Sequence, residues 1–393
     1  LNHIDDNTTQ TYVALRRDIH QHPEMAFDEH RTSALVAQKL SSLGYNVSTG
    51  IGGTGVVGQL VRGTSGRRIG LRADMDALPI VEATGVAWSS CQHGVMHACG
   101  HDGHTAMLLA AAEVLASDGV FDGTLNLIFQ PAEEGGGGAL KMMEDGLFER
   151  FPCDAIFAMH NMPGHPQGQL VFREGPTMAS SDYATVTLTG VGGHGALPHK
   201  AADPIVAASS IVMALQTLVS RNVDPQEAAV VTVGAFQSGQ ANNVIPASAR
   251  LELSVRALDP QVRRDLEKRL HTIIQLQAES FGVQAHIDWR PGYAVLVNDP
   301  AQTRRALQVA QKHFPAEQIT AQGPKLTGSE DFAFMLERVP GSYLFIGNGS
   351  DGEPGACMVH NPAYDFNDDN IRVGANYWIA LVQEMLSPNP TPN

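Results

Sequence analysis

The chain is poor in several things, and each shortage removes a class of function. No unbroken run of about 18 apolar residues exists, the length a membrane-crossing helix needs, so no membrane partner is expected. Positive charge is short. Lys and Arg number 26 against 41 Asp and Glu, a formal net charge of −15, which argues against a phosphate-backbone partner such as nucleic acid. Only four of the 393 residues are cysteine (Cys91, Cys99, Cys153 and Cys357), too few for a disulfide framework. A reducing cytoplasm is the expected setting. The opening LNHIDDNTTQTYVALRRDIHQHPE has no basic segment followed by an apolar core, so no signal peptide is expected. Low-complexity sequence is confined to GGGG at 135–138 and the polar tail SPNPTPN.

What is present is an ordinary soluble-globular composition, 43% hydrophobic and 17% charged. The length predicts two or three domains, or one large domain with an insertion. Residues 8–43 read as helix with a break at Pro23, ending at Gly44. GVVGQLV, RIGLRADM, GTLNLIFQPAEE and CDAIFAMHN read as strands, and HTAMLLAAAEVLAS and GALKMMEDGLF as helices. Alternating strands and helices predict an α/β fold, a mostly parallel sheet with helices on both faces.

The pattern changes near Ser180. YATVTLTG alternates with period two. DPIVAASSIVMALQTLVS carries a helical stripe of Ile205, Val206, Ile211, Val212, Leu215, Leu218 and Val219. Two alternating strands follow, then a helix opened by Asp259 and Pro260 as cap and first-turn proline, then QAHIDWRPGY. This β-α-β-β-α-β order predicts an inserted ferredoxin-like α+β domain at 180–291, with 1–179 and 292–393 forming the other domain.

Four stretches place candidate ligands at strand ends or before helices, where parallel α/β sheets bind ligands. GLRADMDALPI delivers Asp74 and Asp76 on the same side of an apolar strand; taken alone, Asp76 reads more simply as a turn cap. HACGHDGH brackets Gly100 with Cys99 and His101, donors that suit zinc and similar ions. The helix N-terminus beside Cys99, and a metal, would each lower its pKa. His97, Asp102 and His104 read as supporting residues around the helix start. FQPAEEGGGGA puts adjacent Glu133 and Glu134 after a strand and before a glycine loop. Their side chains point in different directions, so one can bind metal while the other handles a proton. Exposure in a loop is the equally simple alternative. His160 ends IFAMHN and His360 lies in CMVHNPAYDF; each alone is more often a core or surface histidine. Together, Cys99, His101, Glu134, His160 and His360 supply two to three ligands for each of two ions if one group bridges, with Glu133 left over.

At these residues the chain resembles the amidohydrolase branch of the aminoacylase/carboxypeptidase-like metallopeptidases. That branch holds hippurate hydrolases, N-acyl-amino-acid amidohydrolases, N-acetyldiaminopimelate deacetylases and plant hydrolases of indole-acetyl-amino-acid conjugates. RRDIHQHPE, GLRADMDALPI, HACGHDGHTAM, FQPAEEGGGGA, GGHGALPH, NNVIP, GSEDFAFM and HNPAYDF carry the likeness along nearly the whole chain. The resemblance implies a metal-binding catalytic domain and a smaller inserted domain that dimerises and acts as a lid. It implies two divalent ions per subunit (Mn, Zn, Ni or Co) on Cys99, His101, Glu134, His160 and His360, with Cys99 bridging and Glu133 as general base. Asp76 would orient a ligand imidazole. His194 in GGHGALPH would reach the substrate carbonyl, and Asn243 and Arg256 would contact the substrate carboxylate. The implied substrate is a small-molecule N-acyl-amino acid, and the implied assembly a homodimer or tetramer. A deacetylase or dipeptidase of the same family is the alternative within this class. A hydrolase using Cys99 as nucleophile, and a non-catalytic metal-binding protein, are the alternatives outside it.

Overall fold

The structure is a computed structural model that describes residues 3–388. Two compact units are present. One comprises the residues up to Gly175 with Asn298–Pro324 and those from Phe334 onward; the other comprises Pro176–Val297 with Lys325–Ala333.

The first unit opens with two helices, α1 (Asp6–Gln21) and α2 (His30–Ser42). Glu24 accepts from the Arg31 and Thr32 amides at 2.8 Å each, satisfying orphan donors at the start of α2. Strands β1 (Asn46–Ile51), β2 (Gly55–Arg62) and β3 (Arg68–Asp74) follow, then α3 (His101–Ser117), β4 (Gly123–Gln130) and β5 (Ala155–Pro163). The eight-stranded sheet runs β1, β2, β4, β3, β5, Gly341–Gly349, Leu170–Val171, Ile319–Thr320. Its centre is parallel: β4, β3, β5 and Gly341–Gly349 pair in one direction, while β1 and β2 pair antiparallel at one side.

Alternate residues of the central strands face the same side of the sheet. Leu71, Ala73, Leu127, Phe129, Phe157 and Met159 join α3 and the helix Asn370–Met385 in one core. Helix α3 is buried along nearly its whole length, as its all-round apolar sequence requires. Because β3, β4 and β5 are parallel and in register (Asp74 beside Gln130, Arg72 beside Ala158), their carboxyl ends open on one edge.

The second unit is a β-α-β-β-α-β module. Strands Ala229–Ser238, Ser248–Ala257, Asp182–Thr189 and Gln284–Pro291 lie side by side in that order, every pair antiparallel, the ferredoxin-like arrangement. Asp182–Thr189 alternates buried and open residues throughout. The helices Pro204–Asn222 and Pro260–Ser280 are capped by Asp203 and Asp259, each followed by proline.

One reading of this module changes. The Pro204–Asn222 helix buries Ala207, Ala208, Ile211, Leu215 and Leu218, whereas Ile205 and Val206 are exposed. The stripe drawn from large residues alone overlooks the alanines, which let the helix approach the sheet closely. By length and composition this helix is long and apolar enough to cross a membrane, and its open side carries Ser209, Gln216 and Thr217.

Candidate metal centre

The edge where β3, β4 and β5 end gathers the candidate ligands. His160 sits inside β5, Asp74 closes β3, and Glu133 and Glu134 follow β4 in a turn. Cys99 and His101 flank Gly100 at the start of α3. Gly100 has φ 90°, and a Cβ there would lie 2.2 Å from Asn161 Nδ2 and 2.4 Å from the Tyr364 hydroxyl. Only glycine fits both the left-handed backbone and the close approach. His360 arrives from a distant loop; its amide donates to the Ala98 carbonyl at 2.7 Å, and its own φ is 66°.

The ligand atoms fall into two groups. Those of Cys99, His101 and His160 lie within 4.8 Å of one another, and so do those of Cys99, Glu134 and His360. Cys99 belongs to both. The Sγ of Cys99 is 3.3 Å from His160 Nε2, and Glu134 Oε1 is 3.1 Å from His360 Nε2 and 3.9 Å from His101 Nε2. Two ligands at ordinary zinc-ligand lengths and a tetrahedral angle stand about 3.5 Å apart, so these edges suit a bound ion. Glu133 is buried, and its carboxylate lies within 4.8 Å of the His101 and Glu134 ligand atoms.

The surroundings set each tautomer. His101 donates from Nδ1 to Asp76 Oδ1 at 3.2 Å, and His160 from Nδ1 to the Asn161 carbonyl at 2.6 Å. Both therefore turn Nε2 to the cluster, the atom whose lone pair a bound cation would take in place of a proton. The Nε2 of His101 is buried with no hydrogen-bond partner among the described residues, an orphan that a cation satisfies. Asp76 also accepts from the Glu134 amide at 2.9 Å, tying one imidazole to the glutamate turn. Its role is thus more than that of a turn cap.

Asp74 is committed elsewhere: Arg72 Nη1 and His104 Nδ1 each donate to it at 2.6 Å. The Nε2 of His104 accepts from the Asn161 amide at 2.9 Å, so this buried imidazole orients β5 beside His160.

Charge points the same way. Burial pushes the Cys99 thiol well above its ordinary range, and the nearby Glu134, Glu133 and Asp74 carboxylates push it further. The lowering expected from the helix N-terminus is outweighed, because burial and three anions oppose ionisation more than one helix end favours it. Burial would lower the His101 pKa, but Asp74, Asp76 and Glu134 together raise it to about 10. Burial and then His104 hold His160 well below the usual imidazole range. A buried thiol, two buried imidazoles and clustered carboxylates fit divalent metal ions.

Behind the centre lies a charged network. His20 of α1 is 2.9 Å from Asp102 and 3.4 Å from Glu82, while Arg16 reaches Asp102, Asp365 and Asp368. Burial would lower the His20 pKa, but Asp102 raises it to about 9. Sequence reasoning missed Arg16 and His20. The usable signal was a cation and an imidazole four residues apart on the α1 face that also buries Tyr12 and Ile19. His97, next to them, is fully buried, which lowers its pKa to about 4.

His194, Asn243 and Arg256 belong to the second unit. His194 pairs with Val244 in a short ladder, and the Gly195 amide donates to the Asn243 carbonyl at 2.8 Å. His194 and Asn243 are thus neighbours, and both are exposed. The Nδ1 of His194 accepts from the Ala196 amide at 3.0 Å, which leaves its proton on Nε2 as an outward donor. Arg256 lies on another strand and donates to Ser329 Oγ at 3.2 Å and to the Tyr183 hydroxyl at 3.3 Å.

Comparison with known proteins shows the family. Residues 70–384 match the model of peptidase family M20/M25/M40. The chain is 46% identical to the hippurate hydrolase of Campylobacter jejuni, over 95% of this chain and 96% of that one. It is 39% identical to the N-acetyl-L-cysteine deacetylase of Bacillus subtilis, over 93% and 86% of the two chains. Among solved structures, the Bacillus subtilis YXEP protein, a dinuclear metal binding peptidase from the M20 family, superimposes with a TM-score of 0.84 at 31% identity, covering 98% of this chain and 100% of that one. A match over most of the length, on a fold whose parallel strands end in a cluster of metal donors, has one reading: the chain belongs to peptidase family M20/M25/M40, a hydrolase in its metal-binding amidohydrolase branch.

Proposed function

We propose that this protein is a metal-dependent amidohydrolase that cleaves the amide bond of N-acyl-L-amino acids. Its substrates are hippurate-like, N-acetyl or indole-acetyl conjugates, and its products a carboxylic acid and a free amino acid. The observation that carries this reading is the pair of ligand groups sharing Cys99, with the Glu133 carboxylate beside them. The hippurate hydrolase and deacetylase relatives support the substrate class.

Two divalent ions on Cys99, His101, Glu134, His160 and His360 would polarise the scissile carbonyl and acidify a water. The remaining work belongs to side chains. Glu133 takes the proton from the attacking water and returns it to the leaving amine. The Nε2–H of His194 donates to the carbonyl oxygen as negative charge develops there. Asn243 and Arg256 hold the free carboxylate by hydrogen bonds, charge-assisted from the guanidinium. Asp76 keeps the His101 ring oriented.

The second unit is the lid and the dimerising element in this reading. Its edge strand Ala229–Ser238 exposes Val230 and Phe236, and the helix Pro204–Asn222 exposes Val206 and Met213, apolar surface that supports a second copy as partner. The enzyme is cytoplasmic in this reading.

The test is an N-acyl-amino-acid screen on apo protein reconstituted separately with Mn, Co, Zn and Ni, alongside Glu133→Ala. Activity should vanish on chelation and return with metal. Glu133→Ala should bind metal normally and lose about 10²–10⁴-fold in turnover. Near-normal turnover in that variant overturns the base assignment. Activity that survives chelation and dies on thiol alkylation favours a Cys99 nucleophile instead.

A further inference from the structure

The turn that carries Glu133 and Glu134 is gripped by a carboxylate that belongs to neither. Ala132 has φ 53°, a left-handed conformation that residues with a Cβ rarely adopt. Three of the hydrogen bonds that hold the turn lie at its ends. The Ala132 amide donates to Glu29 Oε1 at 2.8 Å, the Ala132 carbonyl accepts from the Gly138 amide at 3.1 Å, and the Glu134 amide donates to Asp76 at 2.9 Å. Glu133 lies between the two amides that carboxylates hold.

Glu29 is fully buried. Its second oxygen accepts from Thr54 Oγ1 at 2.5 Å. It stands at the N-cap position of α2, but its side chain makes no capping bond there. A buried carboxylate is costly unless its hydrogen bonds are met, and Glu29 accepts from Thr54, in the turn before β2, and from the glutamate turn. Holding α2 together does not account for that choice.

We propose that Glu29 is a positioning residue: it holds Ala132 in the left-handed conformation and so aims Glu133 and Glu134 at the metal centre. The proposal rests on the reading of Glu134 as ligand and Glu133 as base. Asp76 and Glu29 then act as a pair, one fixing the turn after Glu133 and the other before it.

The experiment compares Glu29→Ala, Glu29→Gln, Ala132→Gly and the double variant Glu29→Ala/Ala132→Gly. Titration of apo protein with Co(II), followed by absorbance, reads ion binding without any substrate. Turnover on an N-acyl-amino acid gives kcat and KM separately. In Glu29→Ala the second Co(II) should bind about 10–100-fold more weakly, with the first unchanged. The kcat should fall by a similar factor while KM moves less than about threefold, the pattern of a lost transition-state contact rather than lost binding. Glu29→Gln, which keeps an acceptor for the Ala132 amide, should recover most of both. Ala132→Gly should rescue Glu29→Ala in part, because glycine reaches positive φ without a Cβ penalty.

Wild-type Co(II) binding in Glu29→Ala overturns the proposal. So does equal loss of both ions with no rescue by glutamine or by Ala132→Gly, with circular dichroism reporting whether the fold is lost. If the protein hydrolyses no N-acyl-amino acid, the Co(II) arms still decide the question, so failure of the substrate reading and failure of this proposal stay distinct.

Discussion

The two groups of candidate ligands share a thiol and differ in almost everything else. Cys99, His101 and His160 are all buried, and both imidazoles stand on regular structure, α3 and β5. Each ring nitrogen facing away from the group is already bonded, to Asp76 or to the Asn161 carbonyl. Glu134 and His360 come from turns, and the His360 side chain is 52% exposed. Among the described residues of the two groups and their turns, left-handed backbone at a residue that bears a side chain appears on this second side only, at Ala132 and at His360 itself, each held by a hydrogen bond from its own amide. Strain of this kind persists where surrounding structure over-determines it, and it clusters at working sites. The closed group is organised by the core, whereas the open group is organised by a few backbone clamps and faces the solvent from which a substrate arrives.

Replacing the shared corner should have the largest effect. Cys99→Ala should weaken both ions and abolish turnover, at least about 10³-fold, measured by metal analysis after dialysis alongside activity. Retention of two ions at full affinity would show that the groups do not depend on the thiol. Next, His360→Ala should release one ion and keep the other, while His160→Ala should disturb the closed group. Calorimetric titration with Mn or Zn separates these cases, and identical titrations for the two variants would erase the distinction between the groups. Asp76→Asn is milder. It keeps the shape and loses charge on the link between His101 and the Glu134 amide, so affinity at both groups should fall about 10–100-fold.

The smallest effect lies behind the closed group. His20 has a folded pKa of about 9, above its usual value near 6.5. Its protonated form therefore stabilises the fold fully below about pH 6.5, and that contribution is lost as pH rises through about 9. The contribution is at most about 3 kcal/mol. The wild-type Tm should drop more than that of His20→Asn between pH 6 and pH 10. Parallel curves would show that the His20–Asp102 contact carries no pH-dependent stability.

Much of this was legible along the chain. The period-two burial of Asp182–Thr189, the Asp-Pro caps of both helices in the second unit and the parallel run of β3, β4 and β5 follow from local chemistry that neighbouring residues already contain. The stripe on Pro204–Asn222 was only half legible, because apolar size does not say which side faces a sheet when alanines do the packing. Glu29 left no usable trace, and His20 left only its spacing from Arg16 on the buried face of α1. Each reads as an ordinary polar helix residue until its partners, Ala132 and Asp102, are seen to arrive from 103 and 82 residues away.

Sequence alone determined which donors were available and which elements carried them: a thiol and an imidazole bracketing a glycine, two adjacent glutamates after a strand, and histidines at a strand end and in a loop. Residue type dictates ligand chemistry and local periodicity dictates secondary structure, so both are present before folding. Tertiary structure decided which donors meet, which ring nitrogen each histidine turns inward, and that Cys99 is buried among anions rather than poised as a free thiolate. Those outcomes depend on burial and on charges distant in sequence, which come into range only when the parallel strands end on a common edge.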